Sequence, residues 1–177
     1  KRLGKKSEWD NYGINLLTSD DLIHWKSTTF DFRNGLGIFS DGKDSKRSIY
    51  KDWSTINRVW APQIFWDAEY IWPDGKKGGY FIYYSLWNRD EEKYDRMYYS
   101  YADETFTTLT QPRLLFDWGY ATIDADINFV PADGLYHMMI KKEGGQPGLF
   151  TSTSHSLTGP WHEPDAKDFV NFEGNKK

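Results

Sequence analysis

Apolar and aromatic positions along the chain fall in short runs bounded by Gly, Asp, Asn and Pro. Gly79-Tyr80-Phe81-Ile82-Tyr83-Tyr84-Ser85, Met97-Tyr98-Tyr99-Ser100-Tyr101 and Leu135-Tyr136-His137-Met138-Met139-Ile140 are rich in rings and β-branched side chains and predict strands. No segment sustains helical periodicity over more than about three turns, so the predicted class is all-β. Around Asp124 the continuous runs give way to strict alternation. Ile123, Ala125, Ile127 and Phe129 point to one side and Asp124, Asp126 and Asn128 to the other, as in a strand with one packed and one polar face. That polar face reads either as the lining of a ligand-binding opening or as a solvated edge.

A weak internal repeat refines the architecture. Thr18-Ser19-Asp20-Asp21-Leu22-Ile23-His24-Trp25, Tyr101-Ala102-Asp103-Glu104-Thr105-Phe106-Thr107-Thr108-Leu109 and Ser152-Thr153-Ser154-His155-Ser156-Leu157-Thr158-Gly159-Pro160-Trp161 share one layout. In each, a strand of small and hydroxyl residues enters a polar turn, followed by two apolar anchors three or four residues apart. A spacing on the order of 50 to 85 residues suits four-stranded β-propeller blades, one of them lengthened by an insertion. A β-sandwich with similar turns is the alternative. Residues 33–55 read as the inserted loop and residues 72–79 as a hairpin tip.

Composition narrows the partners. Aromatic residues are 18% of the 177, with 9 Trp, 12 Tyr and 11 Phe, while the mean hydropathy is −0.76. Burial must therefore come from a limited number of large rings. A balance of 22 basic against 26 acidic residues, with no basic stretch, excludes a nucleic-acid footprint. Cys is absent, which removes disulfides and thiolate metal sites, and His24, His137, His155 and His162 make no ligand pattern. No window reaches the ~18 apolar residues of a membrane span, so no membrane partner is expected. No signal peptide is visible, but the chain starts at Lys1 and stops just past Glu173-Gly174, so both ends read as cut.

Three segments in order carry the chemistry: Val59-Trp60-Ala61-Pro62-Gln63-Ile64-Phe65-Trp66-Asp67, Thr122-Ile123-Asp124-Ala125-Asp126-Ile127 and Phe172-Glu173-Gly174. With Ser19-Asp20-Asp21-Leu22 before Trp25, and Leu157-Thr158-Gly159-Pro160-Trp161, they resemble glycoside hydrolase family 43. Its members carry W-A-P-E opening the second blade, I-D-P or I-D-A in the third, and E-G opening the fourth. The resemblance spans roughly residues 12 to 174. It implies a five-bladed β-propeller of which this chain supplies about three blades. Residues 1–177 would then be one partial glycosidase domain, its first blade incomplete and its last blades supplied by the same gene or a partner chain.

The resemblance further implies a secreted or periplasmic glycosidase, an arabinanase, arabinofuranosidase or xylosidase, that cleaves arabinose- or xylose-containing plant polysaccharide by inversion. Asp124 resembles the carboxylate that tunes the acid, and Glu173 resembles the general acid. The general base belongs to an H-D-P-type segment before the first residues of this chain, so a non-catalytic carbohydrate-binding propeller is the alternative function. No cofactor is implied for the chemistry. A structural cation at the propeller axis is common in relatives, but its ligands cannot be picked out of this stretch. Gln63 stands where the family usually has Glu.

Inverting cleavage needs an acid to protonate the leaving oxygen and a carboxylate to activate water across the sugar. A second carboxylate near the acid keeps it protonated, because two like charges at close range ionise only at high cost. Glu143, between a strand and a Gly-rich loop, is the rival acid. Asp124-Ala125-Asp126 also fits a metal-binding D-x-D of a sugar transferase, a weaker reading because no βαβ alternation is present. Sugar rings stack on flat aromatic faces, which singles out Trp60 and Trp87, with Asp126 as a hydroxyl partner. Trp25, Trp66 and Trp161 are expected to serve packing.

Overall fold

The computed structural model describes residues 9–35, 38–39, 53–144 and 147–170. Among them there is no α-helix, and the ordered elements are strands and two 3-10 turns, Trp53–Thr55 and Ala166–Asp168. β1 (Gly13–Thr18) and β2 (Lys26–Asp31) form an antiparallel pair. The central sheet contains β3 (Ile38–Phe39), β4 (Ile56–Ile71), β5 (Lys77–Asn88), β6 (Arg96–Ala102), β7 (Leu109–Thr110) and β8 (Arg113–Phe116). Its order is β3-β7-β6-β5-β4, with β8 also on β6. The third sheet runs β11-β10-β9, from β9 (Thr122–Val130), β10 (Leu135–Lys142) and β11 (Gly148–Ser154). None of the sheets closes on itself.

The three sheets stack as layers, and the period of two explains the uninterrupted aromatic runs. On β5 and β6, Phe81, Tyr83, Met97, Tyr99 and Tyr101 join one core with Ala125, Ile127, Met138, Ile140 and Phe150 of the third sheet. The alternate residues Ile82, Tyr84, Leu86, Tyr98 and Ala102 join a second core with Ile14, Leu16, Phe30 and Phe32 of the first sheet. A sheet covered on both faces needs apolar side chains at odd and even positions alike, so its strands show no alternation. β9 is covered on one face only. Ile123, Ala125 and Ile127 are buried and Asp124, Asp126 and Asn128 exposed, as the alternation predicts. Phe129 departs from it. It is 44% exposed, with the Tyr136 ring at 5.1 Å.

The repeat is realised in the turns. Leu22 and Phe106 occupy the same place in their turns, and both are left-handed, at φ 61° and 53°. Side-chain oxygens three residues earlier organise each bend: Ser19 accepts from the Leu22 amide at 2.8 Å, and Asp103 accepts from Thr107 and Thr108. The Trp25 and Trp161 indoles donate to the carbonyls of Leu22 and Leu157, both at 3.2 Å. Their packing differs. Trp161 is buried in the core of the third sheet, whereas Trp25 and Trp66 stand about half exposed, against the expectation that all three are packing residues. The predicted hairpin tip joins β4 to β5, closed by the Trp72 amide on the Lys76 carbonyl. Of the loop expected over 33–55, residues 36–37 and 40–52 lie outside the described residues.

Candidate functional site

β4 and β9 are the edge strands of their sheets, and they pack against one another. β9 carries one bulge, and one of the three register shifts of β4 has the same form. From Trp60 to Gln63, three steps on β4 face two on β5, from Ser85 to Tyr83. From Ile123 to Asp126, three steps on β9 face two on β10, from Lys141 to Met139. The bend places Ala61 at φ 46° and Asp124 at φ 55°. A non-glycine residue in the left-handed region costs on the order of 1 kcal/mol or more, and such strain collects at functional sites. The two strained residues lie within the Trp60-Ala61-Pro62-Gln63 and Ile123-Asp124-Ala125-Asp126 segments, aligning Ala61 with Asp124 and Gln63 with Asp126.

Before the Trp60–Gln63 bulge, Arg58 shares a strand face with Trp60 and stands directly across from Trp87. Its guanidinium lies 4.3 Å from the Trp60 ring centre and 4.4 Å from that of Trp87. Both arms of the fork are fixed by Asp95, with Nε to Oδ1 at 2.8 Å and a terminal nitrogen to Oδ2 at 2.6 Å. The Asp95 side chain is only 4% exposed. A planar cation between two indoles, held bidentately from behind, is a rigid unit. Structure therefore brings Trp60 and Trp87 together, but both rings already have neighbours: Arg58 lies against each, the Trp9 ring stands 5.7 Å from Trp60, and the Arg89 guanidinium lies 5.3 Å over Trp87. Trp60 also lines an open cleft of about 470 Å³ with Asn11, Asn15, Leu17 and Pro62.

Asp95 also reaches the other bulged strand. Its carbonyl accepts from the Thr122 amide at 3.2 Å, two residues before Asp124. Asp124 and Asp126 both point from the exposed face of β9, and Asn128 donates to Asp126 at 3.2 Å. Lys141, paired with Ile123 across the ladder, holds Glu143 at 2.8 Å. That bond, with the charge of Asp124 adding to it, raises the Lys141 pKa. Glu143 is thus tied into an ion pair beside Asp124. Between the strands, the buried Tyr83 hydroxyl accepts from the Ile127 amide at 2.9 Å. Burial pushes its pKa up to about 12, reinforced by the charge of Asp126. Glu173 lies outside the described residues. Among the described residues, no group of three or more His, Asp or Glu side chains is placed to hold a metal ion.

Over residues 2–176 the sequence matches the model of a family described as a probable glycosyl hydrolase domain, related to glycoside hydrolase family 43. The chain belongs to this family. No curated protein matches it. Arg58, Asp95 and Tyr83 were not among the residues singled out from sequence. Arg58 was within reach, two positions before Trp60 and so on its face. Asp95 and Tyr83 act across sheets, and nothing in their local sequence marks them.

Proposed function

We propose that this protein is a glycoside hydrolase acting on arabinose- or xylose-containing plant polysaccharide, by inversion, on a β-propeller framework. Three stacked, mainly antiparallel sheets, with the bulged edge strands β4 and β9 in contact, support the propeller reading. The observation that carries the chemical reading is Asp124: a carboxylate held in a strained backbone conformation, on an exposed polar strand face, at the same end of the sheets as Trp60 and Trp87.

Asp124 acts as the tuning carboxylate. Its negative charge makes ionisation of a neighbouring acid unfavourable, so the acid stays protonated until the leaving oxygen takes its proton. Glu173 is that acid. Water, deprotonated by a base on the other side of the sugar, attacks the anomeric carbon, and the carboxyl separation of ~6.5–9.5 Å leaves room for it. Trp60 supplies a stacking face and Asp126 a hydroxyl partner.

The full-length protein tests this reading with aryl α-L-arabinofuranosides, aryl β-xylosides, arabinan and xylan. Expected are release of arabinose or xylose, a first-formed product whose anomeric configuration by proton NMR is opposite to the substrate's, and a loss of about two to four orders of magnitude in kcat for Glu173→Ala. Retention of configuration, or wild-type turnover by Glu173→Ala, contradicts it.

A further inference from the structure

The indole pair and the strand carrying Asp124 meet at one short segment. Residues 89–95 connect β5 to β6, and a buried carboxylate organises them. The Glu92 side chain, fully buried, accepts from the Asn88 amide at 3.2 Å and from the Tyr98 hydroxyl at 2.8 Å. Arg96 lies 3.1 Å from the same carboxylate and 3.0 Å from that of Asp117. The connection is thus fixed by contacts of its own, and Asp95 takes its place from them and not from Arg58. Three bonds reach outward from it. The Glu92 carbonyl accepts from the Trp87 indole at 3.2 Å. The Asp95 carboxylate holds both arms of Arg58, which lies against Trp60 and Trp87. The Asp95 carbonyl accepts from the amide of Thr122, the first residue of β9. Tyr94 adds a tie on that side, its hydroxyl donating to Asp117 at 3.1 Å.

We infer that Asp95 is a positioning residue for the hydrolysis proposed above: through Arg58 it sets how the Trp60 and Trp87 rings stand, and through its carbonyl it sets where β9 begins and so where Asp124 is held. This role rests on the hydrolase reading. A guanidinium fork matched to two carboxylate oxygens has one orientation, so the placement of the rings follows from Asp95. Reacting groups misplaced by about 1 Å can lose a hundredfold in rate, and Asp124 stands two residues past the anchored amide. The two arms have separable effects. Disturbing Arg58 alone touches recognition, whereas disturbing Asp95 touches recognition and chemistry together.

Steady-state kinetics of the full-length protein on aryl α-L-arabinofuranosides and aryl β-xylosides, together with amide hydrogen exchange, test this role. Arg58→Lys keeps the charge but not the fork, so KM should rise about tenfold with kcat within about twofold of the parent. Asp95→Asn keeps the shape but accepts from one arm only, so KM should rise by a similar factor and kcat should fall about ten- to a hundredfold. In Asp95→Asn the Thr122 amide should also lose about tenfold or more of its protection, while the Ile127 amide, bonded to Tyr83, keeps its own. A purely structural Asp95 would lower the thermal midpoint and the folded fraction but leave KM and kcat per folded molecule unchanged, and that result overturns the role. Should Asp95→Asn not fold, Asp95→Glu keeps the charge and displaces the fork by one methylene, and parental KM and kcat in that variant overturn the role equally. No turnover by the unmutated protein, with Thr122 protection still lost on substitution, sinks the hydrolase reading. Turnover with unchanged kinetics and protection in folded Asp95→Asn sinks the positioning role alone.

Discussion

β4 and β9 share one backbone device and differ in its chemistry. Each carries a bulge with one residue in the left-handed region, yet that residue is Ala61 in one and Asp124 in the other. On β4 the bulge is followed by Pro62, whose missing N–H is tolerated where the ladder is already interrupted. On β9 it is followed by Ala125, which is buried, so the strand turns back onto the core at once. The bend therefore belongs to the architecture of an edge strand, whereas the carboxylate is an addition at one of two equivalent places. Ala gains nothing from a left-handed conformation, and Asp tolerates it better because its short polar side chain can bond locally.

The largest effect that would break this comparison comes from Asp124→Gly. Glycine removes the strain and the carboxylate together, so under the function proposed above kcat/KM of the full-length protein should fall by about two to four orders of magnitude. The thermal midpoint should hold or rise. A midpoint several degrees lower would mean that Asp124 stabilises the bend instead of straining it. Next is Tyr83→Phe, which leaves the Ile127 amide without its acceptor in the seam between β5 and β9. Urea unfolding should show a loss of about 1–3 kcal/mol. The same variant sharpens the pH dependence. Because the folded phenol titrates near 12 and an unfolded one near 10, its share of stability is intact below pH 10 and is lost as pH rises toward 12. Tyr83→Phe should flatten that alkaline decline. The smallest effect is Ala61→Gly, expected to stabilise by about 0.5–1 kcal/mol in the same urea experiment, as relief of backbone strain alone.

Much of the layer structure was legible because burial leaves a direct trace in side-chain type. The unbroken rings of β5 and β6 mark a sheet covered twice, and the alternation from Ile123 to Asn128 marks one covered once. The bulges were not legible. Neither Ala61-Pro62 nor Asp124-Ala125 offers the glycine that ordinarily marks a left-handed residue. Equivalent motif positions also diverge in ways that local pattern does not reveal. Trp161 is buried and Trp25 half exposed, although both indoles bond the equivalent turn carbonyl. The Arg58 clamp depends on the registers of β4 on β5 and β5 on β6, which bring position 95 to position 58 across 37 residues.

Asp95 has one role through its side chain and another through its main chain, and the two reach different sheets. Replacing it would release the cation between the indoles and loosen the entry to the strand bearing Asp124 in a single step. Under the function proposed above, the indole pair and the Asp124 carboxylate depend on one shared anchor, so substitution at position 95 would cost both together, whereas Trp60 and Asp124 can each be changed alone.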